Sequence, residues 1–185
     1  MFLPLTAATL SGILAAAFLG AFGADPHGPA QGPSAAQSRP HPDLLAACEG
    51  AFDLAFAPDG ARKGTSRCQL GIGGLWLLEQ VQAEFGGKAY EGRGTTSYDP
   101  ARNRYVSVWV DSMSPRPLVT EGTYNQATKT LTLAGDMATP DGTVARAVLV
   151  TVFRDAGART FAFKVVRPDG RETELFRIEY QRRTR

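Results

Sequence analysis

The residues of this chain best suited to contacting a ligand are concentrated in two segments separated by one turn. The first segment contains Glu91 and Arg93, the second contains Trp109 and Asp111, and Glu121 follows the next turn. A guanidinium can hold a carboxylate or a carbonyl, and an indole offers a flat apolar surface. With the other tryptophan of the chain, they form the candidate ligand-binding set: Arg93, Trp109, Asp111, Glu121, Glu91 and Trp76.

Several kinds of catalytic and metal site are excluded because histidine is absent from the part of the chain expected to fold. The only histidines are His27 and His41, and both lie in a Pro-rich segment. A Ser-His-Asp triad, a Cys-His pair, and His-ligated zinc or haem are therefore ruled out in the folded part. No phosphate-binding loop or Asp-rich calcium loop is present either. We expect no metal and no cofactor.

The N-terminal segment is typical of exported proteins. Residues 1–23 carry no charge and are largely apolar or small, and Asp25 is the first charged residue. This pattern predicts a signal peptide cleaved after Gly23, although the apolar run is also long enough for an uncleaved anchor. We expect residues 24–42 to form a disordered Pro-rich linker and residues 43–185 to form the folded domain. The expected location is secreted or periplasmic.

Two cysteines, Cys48 and Cys68, lie within the expected folded domain. In an oxidising compartment such a pair can form a disulfide. Two buried free thiols are an equal alternative, because the sequence does not reveal the distance between their Cα atoms.

The pattern of the folded part predicts a β-barrel. A short helix is expected from Pro42, and Gly50 ends it. Beyond that point, runs rich in Val, Thr, Phe, Tyr and Trp alternate with Gly-, Pro-, Asn- and Asp-containing turns. Short turns make neighbouring strands antiparallel, and closure removes both sheet edges. We therefore expect an all-β domain, a single antiparallel up-and-down barrel of about ten strands with a short N-terminal helix.

Turn positions predict which candidate side chains share a face. A turn at Gly86-Gly87 places Gln80 opposite Arg93, a turn around Ala101 places Arg93 opposite Trp109, and a turn at Pro115-Arg116 places Asp111 opposite Glu121. Two interpretations stay open. The shared polar face is simply solvated, or it points into a cavity that holds a ligand. On this prediction one face carries Gln80, Gln82, Glu91, Arg93, Trp109, Asp111 and Glu121, and the other carries Leu77, Val81, Tyr90, Val106, Val108 and Val110.

The sequence resembles a bacterial family labelled domain of unknown function 1579, which is lipocalin-like. The similarity covers most of residues 44–183, and Gly50-Ala51-Phe52 departs from the Gly-x-Trp that calycin barrels often carry near the first strand. The resemblance implies a calycin-type barrel and no particular activity. The matching segments are Glu91–Gly94, Tyr98-Asp99, Tyr105–Met113, Glu121–Tyr124, Thr128–Thr132, Ile178–Tyr180 and Gly73-Gly74.

Three functions remain open from the sequence. The favoured one is a binding module for a small apolar or amphipathic molecule. The second is an enzyme that uses Asp111 with Glu91 or Glu121 as paired carboxylates, and the third is an interaction or structural protein of the cell envelope. A formal net charge of +2 does not predict a nucleic-acid partner, and a membrane partner is expected only if the leader is retained.

Overall fold

The computed structural model describes residues 42–57, 62–85, 87–139, 142–154, 157–167 and 169–184. The expected leader and the expected linker up to residue 41 lie outside these ranges. The described residues form one helix, α1 (Pro42–Ala47), and ten strands. The strands are β1 (Gly50–Ala57), β2 (Arg62–Gly71), β3 (Trp76–Phe85), β4 (Lys88–Asp99), β5 (Arg104–Asp111), β6 (Ser114–Asn125), β7 (Thr130–Ala138), β8 (Val144–Phe153), β9 (Ala158–Val166) and β10 (Glu172–Arg182).

Every strand pairs antiparallel with its neighbours in sequence, and β1 also pairs with β10. Leu54 lies opposite Tyr180 and Phe56 opposite Ile178 across this closing contact. The sheet therefore has no free edge, which removes the backbone groups that would otherwise pair with another chain. The expectation of an all-β up-and-down barrel of about ten strands with a short N-terminal helix is confirmed.

Helix α1 blocks one end of the barrel. A helix of six residues is too short to be stable alone, so packing must hold it in place. Leu44, Leu45 and Cys48 are buried in the same hydrophobic cluster as the barrel interior. Arg182, at the end of β10, donates a hydrogen bond to the carbonyl of Ala47 at the helix C-terminus. We call this end, which also carries the turns after β2, β4, β6 and β8, the closed end, and the other end the open end.

The hydrophobic core lies mainly in the half of the barrel next to the closed end. Phe52, Leu54 and Phe56 alternate with exposed or half-buried residues along β1, as expected for a strand with one inward face. Leu54 is 0% exposed and Tyr105 is 1% exposed. Around these two residues the interior is packed, whereas the inward-facing Tyr98, Tyr124 and Phe153 are half-buried.

The β3–β4 hairpin has the expected register, since Gln80 lies opposite Arg93. The β4–β5 hairpin differs, because Arg93 lies opposite Val110 and Gly94 lies opposite Trp109. The loop runs from residue 100 to residue 103, and its even length moves the turn centre half a residue beyond Ala101. This shift reverses the face on which every residue of β5 lies.

The β5–β6 turn also lies earlier than expected. It is formed by residues 112–113, because the carboxylate of Asp111 accepts hydrogen bonds from the backbone N–H groups of Met113 and Ser114. Asp111 therefore lies opposite Ser114, and Trp109 lies opposite Leu118 after a register shift. The expected pairing of Asp111 with Glu121 is wrong.

Candidate functional site

The structure divides the six candidate ligand-binding residues between the two faces of the barrel wall. Trp109 and Asp111 point inward, since their neighbours across the sheet are the buried Gly94 and Gly92. The other four lie on the outer face: Arg93, Glu91, Glu121 and Trp76. The expected shared face is therefore wrong, and the cause is the shifted register of the two hairpins that flank β5.

The outward-facing charges pair with each other in solvent. The side chain of Arg93 is 63% exposed and lies 3.0 Å from the carboxylate of Glu91. Glu121 pairs with Arg102, from the turn between β4 and β5. Neither pair faces the interior, so Arg93 cannot hold a ligand inside the barrel as the sequence suggested.

The indole of Trp109 lies on a platform made by two glycines of β4. A Cβ atom added to Gly94 would come within 2.6 Å of the Trp109 ring, and one added to Gly92 would overlap the same ring. Glycine lacks a Cβ, so these two positions let the ring approach the backbone. This contact explains the Gly-x-Gly spacing of β4.

Three polar groups near the open end form a closed hydrogen-bond network. The Nε1–H of Trp109 donates to the hydroxyl of Tyr90 at 3.0 Å and to Oδ2 of Asp111 at 3.2 Å. Burial raises the pKa of Tyr90, and the charge of Asp111 adds to the effect. Tyr90 thus stays a neutral hydroxyl, and its hydroxyl and the Asp111 carboxylate fix the edge of the indole ring.

A buried ion pair lies deeper in the barrel. Arg159 of β9 and Glu79 of β3 both point inward, and Nη2 of Arg159 lies 3.4 Å from Oε1 of Glu79. The guanidinium lies between two aromatic rings, with its Cζ 4.5 Å from the centroid of Phe52 and 4.3 Å from that of Tyr180. Burial acts to lower the pKa of Arg159, but the charge of Glu79, together with the Cys68, Cys48 and Tyr180 groups, raises that pKa above its ordinary value.

The two cysteines flank this ion pair as buried free thiols. Nη2 of Arg159 lies 3.4 Å from the sulfur of Cys68. Burial raises the pKa of both Cys48 and Cys68, so each thiol stays protonated at neutral pH.

Sequence reasoning missed Glu79 and Arg159 as interior groups, whereas it placed Tyr90 correctly on the same face as Leu77 and Val81. A signal for the first two is present in the strand patterns. Glu79 lies in phase with Leu77 and Val81, and Arg159 lies in phase with Phe161. A charged residue at an apolar phase of a strand points to a buried pair, because an unpaired charge would be costly there.

Several inward-facing side chains toward the open end remain partly exposed, although Ala147 in the same half is fully buried. The strands pair all round the barrel, so the exposed surface of these inward side chains lies inside the barrel. The side chain of Glu79 itself is 21% exposed, although it lies on the inward face. The half-buried inward residues of this half include Tyr90, Trp109, Leu118, Met137, Ala145, Phe163 and Phe176.

The described residues offer no alternative chemistry based on paired carboxylates at Asp111 or on a metal. Asp111 faces inward, whereas Glu91 and Glu121 face outward, so the expected carboxylate pairs are not formed. No group of three His, Cys, Asp or Glu side chains in the described ranges is arranged to hold a metal ion. Within the same ranges, no helix has the length and apolar character needed to cross a membrane.

Comparisons with known proteins identify a family and no activity. None of the curated proteins matches the chain. Among solved structures, a redesigned β-barrel is similar, with a TM-score of 0.38 and 11% identity over 76% of this chain and 95% of that one. The profile of a family described as "protein of unknown function (DUF1579)" matches residues 49–182, which include all ten strands. The chain therefore belongs to the DUF1579 family.

Proposed function

We propose that this barrel binds a small apolar or amphipathic molecule that enters through the open end. The observation that carries the proposal is the partial exposure of inward-facing aromatic and aliphatic side chains in that half. In a solidly packed barrel these side chains would be fully buried, as Leu54 and Tyr105 are. Apolar surface that stays wet inside a closed sheet favours the binding of an apolar ligand.

The lining of the open half has the composition of a small-molecule site. The indole of Trp109 offers its inner face, Leu118 lies opposite it on β6, and Phe163 stacks on Phe176 with centroids 5.2 Å apart. Aromatic and aliphatic walls bind apolar groups through contact area and exclusion of water. Tyr90 in this half, and Glu79 deeper in the barrel, provide polar points of orientation.

A blocked variant tests the proposal. Ala145 faces inward in the open half, opposite Met137 on β7, so Ala145→Trp should fill the space that a ligand would occupy. The wild-type protein should enhance the emission of the neutral probe N-phenyl-1-naphthylamine, and the variant should bind it about tenfold more weakly. The matched control is Ala138→Trp, because Ala138 is exposed on the outer face near the same end.

Two results would overturn the proposal: no binding of the probe by the wild-type protein, or equal binding by wild type and Ala145→Trp. Native mass spectrometry of protein purified from its host gives an independent measurement. It should show a co-purifying small molecule in the wild-type protein, and less of it in the blocked variant.

We also propose that the protein is exported. The support is the uncharged apolar segment at residues 1–23 followed by a Pro-rich segment. Intact-mass analysis of protein from the native host should show a chain that begins at Ala24. A chain that begins at Met1 and is found in the cytoplasm would contradict export.

A second candidate, an interaction protein of the cell envelope, is favoured by an apolar patch on the outer wall. Val110 and Val119 are both exposed on neighbouring strands β5 and β6, and Val108 lies directly opposite Val119. Exposed apolar patches frequently mark protein contacts. Sedimentation velocity of the wild type and of Val110→Ser/Val119→Ser tests for self-association through this patch.

A further inference from the structure

One inward-facing carboxylate, that of Glu79 in the buried ion pair, is still reached by solvent, since its side chain is 21% exposed. Glu79 points inward from β3, and the sheet neighbours on its two sides are Cys68 and Gly94. Gly94 has no side chain to cover it, and the next residue across the sheet is Trp109. A ligand lying on the inner face of the Trp109 ring would therefore lie beside Glu79.

Glu79 has acceptor capacity left after its contacts within the protein. Its Oε1 accepts a hydrogen bond from the hydroxyl of Ser66 at 2.6 Å and one from Arg159 at 3.4 Å. The hydroxyl of Tyr180 is a further partner. A carboxylate offers about four lone-pair sites, so at least one remains for solvent or for a ligand.

A purely apolar ligand that filled the barrel would leave this acceptor without a partner. Removing water from an ionised oxygen without replacing its hydrogen bond is costly, and the cost is larger inside a protein than at its surface. A ligand that brings a hydrogen-bond donor avoids this cost. The exposed part of the Glu79 carboxylate therefore favours a ligand whose inner end carries a hydrogen-bond donor.

Arg159 cannot serve as a counter-charge for an anionic ligand. Its side chain is 8% exposed, and the rings of Phe52 and Tyr180 lie over its guanidinium. Its Nη2 is already used by Glu79 and Cys68. A ligand carboxylate that approached the guanidinium would also be repelled by the carboxylate of Glu79, which lies 3.4 Å from it.

The other inward charges do not change this balance. Asp111, near the open end, is a second carboxylate, and Arg182 is bound to helix carbonyls at the closed end. Lys88 and Arg116 are exposed near the open end, where water and salt screen them. Like charges in the interior repel more strongly than exposed cations attract, because the local dielectric is lower.

We propose that the ligand enters with a hydrogen-bond-donating head group first, an amine or a hydroxyl that Glu79 accepts, and that ligands headed by a carboxylate are rejected. This inference rests on the proposed binding function and gives it a ligand class. The inference rests on the row of inward positions formed by Glu79, Gly94 and Trp109. It also rests on the ion pair that Arg159 already forms with Glu79.

A head-group series tests the inference. A medium-chain alkylamine, the alcohol of the same chain length and the corresponding carboxylate are each used below their micelle concentration to displace N-phenyl-1-naphthylamine. The amine and the alcohol should bind at least about tenfold more tightly than the carboxylate. Equal or tighter binding of the carboxylate would overturn the inference while leaving the binding function intact.

A charge-neutral variant links any preference to Glu79. Glu79→Gln/Arg159→Met removes both charges together, so that no buried charge is left without a partner. In this variant the amine should lose its advantage over the carboxylate. The matched control is Glu91→Gln/Arg93→Met, which removes the pair on the outer face and should keep the full preference.

The possible failures can be told apart. If neither the probe nor any member of the series binds to the wild-type protein, both the binding function and the head-group inference are wrong. If the probe binds and the preference persists in a folded Glu79→Gln/Arg159→Met variant, only the role of Glu79 is wrong. If that variant does not fold, the wild-type series alone decides, because it needs no substitution.

Discussion

At the scale of single residues, two glycines of β4 determine where the ring of Trp109 lies, because they have no Cβ atom. Gly92 and Gly94 of β4 provide the flat backbone on which the ring of Trp109 lies. Tyr90 and Asp111 then hold the ring through its Nε1–H. The ring of Trp109, which is proposed to contact the ligand, is thus positioned by close packing on Gly92 and Gly94 and by its hydrogen bonds to Tyr90 and Asp111.

Adding one methyl group to this platform should destabilise the protein. Gly94→Ala would place a Cβ 2.6 Å from the Trp109 ring, so the ring or the strand must move, and we expect a loss of about 1–3 kcal/mol in the free energy of unfolding. Urea unfolding followed by circular dichroism measures it. Gly157→Ala is the control, since its nearest contact would be an ordinary 3.4 Å.

A double-mutant cycle shows whether the cost comes from the indole. In a Trp109→Leu background the cost of Gly94→Ala should shrink, because the atoms that clash are gone. An equal cost in both backgrounds would show that the contact with Trp109 is not the cause.

At the scale of secondary-structure elements, α1 acts as a plug attached to the barrel by side chains. Leu44, Leu45 and Cys48 are buried, and the carboxylate of Glu49 accepts a hydrogen bond from the backbone N–H of Leu70 at 2.8 Å. The plug covers the half of the interior where the two thiols and the ion pair lie. Its packing therefore controls access to Cys68.

Loosening the plug should expose the thiols. Leu45→Ala removes buried contacts from α1, and we expect a loss of about 2–5 kcal/mol in unfolding free energy together with faster alkylation of Cys48 and Cys68 by iodoacetamide. The alkylation rate is measured by mass spectrometry under reducing conditions. Ala46→Ser, at an exposed position of the same helix, should leave both quantities unchanged.

An alkylation rate that does not change in a clearly destabilised Leu45→Ala variant would show that α1 does not control access. The same experiment without reductant reports on the alternative of a disulfide. Bonded cysteines would not react even after unfolding, whereas free thiols would both react.

At the scale of the whole molecule, one closed sheet encloses two different environments. The half near the closed end buries Tyr105 and the pair formed by Arg159 and Glu79, whereas several inward side chains near the open end are only half-buried. Three groups that ionise at high pH, Cys48, Cys68 and Tyr180, are buried in the interior. The stability of the molecule should therefore depend on pH above neutrality.

Alkaline pH should weaken the fold. Burial raises the pKa of Cys68 from its ordinary value of 9.0 to about 12. The native pKa is the higher one, so the contribution of this thiol to stability is complete below about pH 9 and is lost as pH rises toward 12. Under reducing conditions the unfolding free energy should fall in this range by roughly 1.4 kcal/mol per pH unit for each such group.

Urea unfolding at a series of pH values checks this prediction. Cys68→Ala should show a shallower fall than the wild-type protein. Tyr180 should account for part of the remaining slope, since burial raises its pKa in the same direction. Stability that is constant or rises above about pH 9 would contradict the assignment.

The sequence by itself determined the strands, most of the turns and the closure of the sheet. These features follow from local properties: alternating apolar residues, β-branched and aromatic enrichment, and Gly, Pro, Asn and Asp at the connections. The position of the Gly-Gly pair in the sequence also predicted the register of the β3–β4 hairpin correctly, since Gln80 lies opposite Arg93.

Only the tertiary structure decided which way the candidate side chains point. A half-residue difference in the centre of the β4–β5 turn moved Trp109 and Asp111 inside and left Arg93 outside, because side chains alternate with a period of two. The ion pair of Arg159 and Glu79 joins strands far apart in sequence, and no local pattern brings them together. Contacts across the interior depend on how the whole sheet closes, which the local sequence does not specify.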